Sequence, residues 1–313
     1  MNKNEHSLSI LLNYKCKYNH IMLGCYNIIL SCHLYREFEN YKNLSYPFII
    51  GGNIKRNGGK FMLRRPDLGV IMFYEIMEYT ITDYYSRFKY LIYKTIPETY
   101  SYIHQVELSY IDEDNCYLRS SIIFDNKVVL SEEDFKRILE FKIKLYKAIE
   151  CSLRNFLILK FSEIHSIIHC KIELIWKIIK NMKMIHKYAH LLGNKINYNG
   201  DILKKDEIIE LIEIQNKKKI KSKAKVSKLK LEKMELTKES VIELLFKKEE
   251  TSNLLSKSKI IIRIYEYDEK CSLYLFFFFS KIQDHLYLER FKKNKMKELN
   301  KFKSIIERYD ANI

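Results

Sequence analysis

The side chains with chemical potential here are a few histidines, a glycine-rich stretch, seven cysteines and a run of lysines. His186 and His190 lie four apart on a predicted helix, the spacing of helical metal ligands. No H-E-x-x-H motif surrounds them and no third ligand is in register, so no metal is expected. His165 and His169 fall on a predicted strand, where even spacing puts both on one face. The stretch Gly51-Gly52-Asn53-Ile54-Lys55-Arg56-Asn57-Gly58-Gly59-Lys60 has the glycines of a phosphate loop. It fails as one: Ile stands at position 54, no Ser or Thr follows Lys60, and a strand comes next instead of a helix. A nucleophile elbow, a dinucleotide fingerprint and a paired-carboxylate constellation are all missing. The sequence therefore predicts a protein without enzymatic activity and without a cofactor.

The cysteines (Cys16, Cys25, Cys32, Cys116, Cys151, Cys170 and Cys271) are odd in number and form no C-x-x-C pair. That pattern fits free thiols in a reducing compartment better than a disulfide framework or a zinc site. The longest apolar stretches, 21–32 and 271–280, fall short of the ~20 residues a membrane span requires. The N-terminal residues Met1-Asn2-Lys3-Asn4-Glu5-His6 lead into no cleavable signal. A cytoplasmic protein with no transmembrane segment is expected.

The net charge is +16. It invites an acidic partner, although Lys, Asn, Ile and Tyr are heavily used throughout, and net charge speaks to solubility and encounter more than to fold. The densest cluster comprises Lys217, Lys218, Lys219, Lys221, Lys223, Lys225, Lys228, Lys230 and Lys233. Three readings stay open. It is an exposed hairpin whose lysines block edge-to-edge aggregation; or it docks on an anionic membrane, at ~1 kcal/mol per lysine; or it binds nucleic acid. The last is disfavoured because no aromatic interleaves the lysines to stack on bases.

The elements that must position these groups read as follows. A first strand covers 7–17, with Ile10, Leu12 and Tyr14 alternating with Leu11, Asn13 and Lys15. A helix, broken along its length, covers 18–40 and carries Leu23, Ile28, Leu30 and Leu34 on one stripe. Strands follow at 48–56, 60–65, 69–79, 86–96, 102–111 and 116–125, separated by polar turns. Asn57-Gly58 is a hairpin signal because both residues tolerate positive φ. Ser131 caps a long helix to about Leu157, with Glu132, Glu133 and Asp134 in its first turn. The second half repeats this order: strand 161–170, helix 171–192 stopped by Gly193, strands 195–198, 207–215, 226–236, 241–247, 259–267 and 272–282, then helix 289–309.

The chain thus says nearly the same thing twice. Asp112-Glu113-Asp114-Asn115-Cys116 and Asp268-Glu269-Lys270-Cys271 are matching acidic turns before apolar strands. Both strands run into long basic helices with similar ends, Leu145–Glu150 and Phe302–Glu307. A period of roughly 150 residues is domain-sized, whereas solenoid repeats span ~20–50 residues. Two α+β domains are predicted, 1–158 and 159–313. The second, Lys-rich in its middle strands and poor in Gly, reads as a degenerate copy.

One strand, one or two helices, six antiparallel strands and a closing helix resembles the START-like (SRPBCC) superfamily with its helix-grip fold. The resemblance covers about 7–156 and again 160–309, and is carried by Gly58-Gly59-Lys60-Phe61, by 70–79 and by the closing helices. It implies a curved sheet wrapped around the long helix with an apolar cavity between them. By strand period, Phe88, Tyr90 and Ile92 share one face, as do His104, Val106, Leu108 and Tyr110, and Leu118, Ser120, Ile122 and Phe124. Phe135, Ile138, Leu139, Leu145, Tyr146 and Ile149 stripe the helix. His104, Ser120, Tyr90 and Tyr146 then interrupt an apolar wall, as in ligand sites. The expected ligand is a small hydrophobic molecule, lipid or sterol-like, carried or sensed by the first domain. In the second, Ile260, Ile262, Ile264, Leu273, Leu275, Phe277 and Phe279 face Phe291, Leu299, Phe302 and Ile306, and their bulk predicts a filled core. The rival expectation is a protein-interaction scaffold with two filled cores.

Overall fold

The computed structural model describes residues 6–26, 47–65, 69–97, 101–124, 131–154, 161–187, 189–193, 195–215, 217–233, 237–246, 255–282 and 285–310. The chain divides into two compact units, Met1–Ile158 and Leu159–Ile313.

The first unit contains β1 (His6–Tyr14), α1 (Tyr18–Tyr26), β2 (Phe48–Gly51), β3 (Lys60–Arg65), β4 (Val70–Ile81), β5 (Tyr85–Ile96), β6 (Tyr102–Tyr110), β7 (Cys116–Phe124) and α2 (Glu132–Arg154). Its seven strands pair in the order β1-β7-β6-β5-β4-β3-β2, all antiparallel. Only β1 is out of sequence order: it returns to pair with β7, Ile10 opposite Ser120 and Tyr14 opposite Cys116. On β5 burial alternates strictly from Ser86 to Ile92, so one face is core and the other is wetter. The β6–β7 turn is an Asx turn: Asp112 accepts from the Asp114 backbone N–H at 2.9 Å and from the Asn115 amide at 2.8 Å. Those donors hold its carboxyl below the usual range. Ser131 caps α2 by accepting from the Asp134 N–H at 3.1 Å while its own hydroxyl donates to the Asp134 carboxylate at 2.7 Å.

The 48–56 strand is shorter than expected. β2 stops at Gly51, and the chain loops back so that Gly58 and Gly59 bond to Ile76 of β4 (Gly58 N–H to the Ile76 carbonyl 2.7 Å; Ile76 N–H to the Gly59 carbonyl 2.9 Å). A Cβ at Gly59 would sit 2.3 Å from the Asn53 carbonyl oxygen. The glycine pair thus lets the loop close on the sheet instead of making a two-residue turn. Of the predicted helix 18–40, α1 forms the first part; Leu30, Leu34 and the rest of 27–46 lie outside the described residues.

The second unit runs β8 (Phe161–Ile168), α3 (Ile172–Lys180), a 3-10 turn (Met182–Lys187), α4 (Ala189–Leu192), β9 (Lys195–Asn197), β10 (Ile208–Gln215), β11 (Lys218–Lys233), β12 (Lys238–Phe246), β13 (Leu255–Tyr267), β14 (Lys270–Ile282) and α5 (His285–Asp310). Its seven strands follow the same order, β8-β14-β13-β12-β11-β10-β9. Ile172, Ile175, Ile178 and Ile179 make the buried stripe of α3. Ile260, Ile262, Ile264, Leu273, Leu275, Phe277 and Phe279 are buried, as are Leu299, Phe302 and Ile306 of α5, and Phe291 is half-buried against them.

Two expectations are corrected here. The helix predicted over 171–192 breaks at Asn181, whose backbone is extended and bridges to Ile202. The Met182 N–H bonds to the Asp201 carbonyl at 2.8 Å and the Leu203 N–H to the Lys180 carbonyl at 2.9 Å. A tertiary pairing thus outcompetes the next helical turn. The strand expected over 226–236 begins earlier: β11 is a single 16-residue strand, whose residues 218–225 pair with β10 across the turn at Lys217 and whose residues 224–233 pair with β12.

Candidate functional site

The core face of the first sheet gathers the predicted wall. Tyr90 pairs with His104 and Phe88 with Val106 across β5–β6; His104 pairs with Ile122, Val106 with Ser120 and Leu108 with Leu118 across β6–β7. Phe88, Tyr90, Ile92, His104, Val106, Leu108, Leu118, Ser120 and Ile122 are all buried. Tyr110 departs from the wall: at the hairpin end it is 37% exposed. β1 adds Ile10 and Tyr14 through its register with Ser120 and Cys116, an alternation visible in the sequence yet not assigned to the wall.

On α2 the stripe is covered unevenly. Tyr146 and Ile149 are buried, Ile138 and Leu139 are half-buried, and Phe135 is exposed. At the middle of this stripe sits Lys142, itself buried. The sequence reading missed it, although Ile138, Lys142 and Tyr146 follow one another at i, i+4 spacing, the interval that shares a helix face.

The polar groups converge. His104 Nε2 is 3.0 Å from Ser120 Oγ. The Tyr146 hydroxyl donates to the same oxygen at 3.1 Å. Lys142 Nζ lies 3.0 Å from His104 Nε2 and 3.2 Å from Nδ1, and the Tyr90 ring stacks beside His104 with centroids 6.0 Å apart. Burial pushes the Tyr146 phenol above its ordinary pKa, and the neighbouring Cys25 adds to the rise. Tyr14 is raised further still, again chiefly by burial, and its hydroxyl has no hydrogen-bond partner among the described residues. Cys116, opposite Tyr14, is pushed up to about 12 by burial. Both phenols and this thiol therefore stay protonated at neutral pH. The arrangement can bind, orient and donate hydrogen bonds inside an apolar enclosure.

The predicted lysine site is only partly assembled. Lys219, Lys221 and Lys223 stand on one face of β11, opposite Ile214, Ile212 and Glu210 of β10. Lys217 sits in the preceding turn at φ 62°, and Lys218 points to the other face by strand period. A register shift between Val226 and Lys228 turns Lys228 and Lys230 onto the same face as Lys225. Lys221 pairs with Glu210 at 4.0 Å and Lys225 with Asp206 at 2.8 Å.

The histidine pairs do not hold. The helix break separates His186, in the 3-10 turn, from His190, on α4. His165 faces Tyr274 with ring centroids 5.8 Å apart, whereas His169 lies beyond β8 and its backbone N–H donates to Glu307 at 3.1 Å. No cluster of three His, Cys, Asp or Glu able to hold a metal occurs among the described residues. Cys16, Cys25, Cys116, Cys151, Cys170 and Cys271 form no disulfide among the described residues; Cys32 lies outside them. No described helix is long and apolar enough to cross a membrane.

No protein-family model matches the chain, and no curated protein matches its sequence. Solved structures do. A START superfamily protein from Mycobacterium smegmatis is 12% identical with TM-score 0.37, over 48% of this chain and 99% of that one. The di-domain ARO/CYC StfQ from the steffimycin biosynthetic pathway is 9% identical with TM-score 0.39, over 98% of this chain and 100% of that one. The di-domain ARO/CYC BexL from the BE-7585A biosynthetic pathway is 7% identical with TM-score 0.41, over 97% and 98%. By its own element order the chain is a tandem α+β protein of two units, each with the helix-grip arrangement of a seven-stranded antiparallel sheet and a long closing helix.

Proposed function

We propose that the first unit holds a small hydrophobic ligand, lipid or sterol-like, between its sheet and α2, and acts as a carrier or sensor instead of an enzyme. The observation that carries this reading is one polar island in an apolar enclosure: His104, Ser120, Tyr146 and Lys142, with the buried Tyr14 hydroxyl nearby on β1. Burying a hydroxyl without a partner costs ~1–3 kcal/mol, a cost that a ligand oxygen accepting from Tyr14 removes. The half-buried Ile138 and Leu139 and the exposed Phe135 supply further apolar surface at the helix's N-terminal half. The odd cysteine count supports a reducing, cytoplasmic setting.

The neutral apolar dye N-phenyl-1-naphthylamine tests this directly on delipidated protein. Its fluorescence should rise on binding, and Ser120→Phe, which fills the wall beside Tyr146, should weaken binding at least tenfold. Equal binding to both proteins would sink the reading. A second reading, an acid–base enzyme, is favoured by His104 lying within reach of both a hydroxyl and an ammonium. Recovery of a chemically altered ligand after incubation would move the account there.

A further inference from the structure

The second unit has a groove of about 340 Å³ between β10 and α5, lined in part by Ile214, Tyr287, Arg290, Phe291 and Lys295. We propose that this groove binds an amphipathic monocarboxylate, with the carboxylate at Lys295 and Arg290 and the apolar body on Ile214, Tyr287 and Phe291. This site is independent of the one in the first unit.

The charge pattern points to an anion. Two lysines lie over the Phe291 ring, Lys257 at 5.4 Å and Lys295 at 5.6 Å from its centroid. Lys257 is neutralised by Glu213, to which it is ion-paired. Lys295 is buried too, yet its ammonium donates to a neutral group, the His190 backbone carbonyl. A buried charge needs a charged or well-bonded partner. The nearby acids are committed elsewhere, Glu213 to Lys257 and Glu298 to Lys301 at 3.1 Å. A ligand carboxylate would supply what Lys295 lacks, and Arg290 offers a forked second donor set. Glu213 and Glu298 facing the same space disfavour a dianion, and the aromatic floor favours an apolar tail over a bare inorganic ion.

The groups facing Lys295 are Glu213 of β10, Lys257 of β13, His190 of α4, and Tyr287, Arg290, Lys297, Glu298 and Lys301 of α5. Burial, and then Lys257, bring the Lys295 pKa down to about 7. Carboxylate binding requires the ammonium, so affinity should fall as pH rises above 7.

The test is calorimetric titration of the full chain with octanoate and, separately, with 1-octanol. At pH 6.5 octanoate should bind at least tenfold tighter than 1-octanol, and at least fivefold tighter than octanoate does at pH 9. Lys295→Met should erase the octanoate preference, Lys295→Arg should keep it, and Ser120→Phe should leave it intact. Equal affinity for the two probes overturns the proposal, as does a preference that survives Lys295→Met or a flat pH series on the unaltered chain. Loss of the preference in Ser120→Phe also overturns it, by placing the anion in the first unit.

Discussion

Lys142 and Lys295 each occupy a buried stripe of a closing helix, where an apolar residue is the ordinary choice. Their spacing was legible: Phe291, Lys295 and Leu299 repeat the i, i+4 interval of Ile138, Lys142 and Tyr146. Their burial was not, because in a Lys-rich chain a lysine reads as a solvated residue, and only the tertiary partners show otherwise. For Lys295 the linkage has a definite sign. The unfolded lysine titrates near 10.4 and the folded one at about 7, so between these values the unfolded chain binds the extra proton. Stability should therefore rise as pH goes from 7 to 10, by about 1.4 kcal/mol per unit of pKa difference. Lys295→Met should flatten that rise in urea unfolding measured across the range. Ser120 is the hub of the first site, and Ser120→Ala strands the Tyr146 hydroxyl and removes one partner of His104 Nε2. We expect it to lower unfolding free energy by ~1–3 kcal/mol. Glu239 and Arg263 form a buried ion pair at 2.8 Å. Glu239→Ala should destabilise by ~3–5 kcal/mol by leaving a buried guanidinium without this partner, and Glu239→Leu with Arg263→Met should recover most of that loss.

Elements were legible where one period persisted. The strict alternation of β5 and the Ser131 cap of α2 could be read directly, since both depend on local sequence. β11 was misplaced because lysine is a poor strand former, although Ile220, Ser222, Ala224 and Val226 keep a period of two beneath the charges. The break at Asn181 was invisible because no Gly or Pro marks it; its cause is the pairing with Ile202, remote in sequence. The β13–β14 hairpin turns on Asp268 and Glu269 at φ 51° and 56°, the left-handed geometry of a type I′ turn. Glycine at the second position removes Cβ strain there, so Glu269→Gly should raise the thermal midpoint, by up to ~1 kcal/mol in stability. The Lys171–Glu269 pair it loses is exposed, 3.6 Å long and worth little.

At the scale of the whole chain, one architecture is used twice with different fillings. The first unit places the small Ser120 and Val106 opposite each other in its wall and gathers a polar island at Ser120. The second packs Phe277, Phe279 and Phe302 into the matching space and keeps a charged groove beside them. The strand–turn–helix echo made the duplication legible, because element order survives sequence divergence. The groove was not legible, since it joins residues from β10, α4 and α5 that no local pattern links. The two units should therefore respond differently to salt. Octanoate binding should weaken between 50 and 500 mM salt, whereas binding of the neutral dye should not. The most direct test of the central claim is native mass spectrometry of the full chain and of Ser120→Phe, each after incubation with mixed lipids. The account predicts a lipophilic adduct, released unchanged by organic extraction, on the first protein and its loss from the variant. A bare mass on the unaltered chain, or an adduct indifferent to Ser120→Phe, would contradict it.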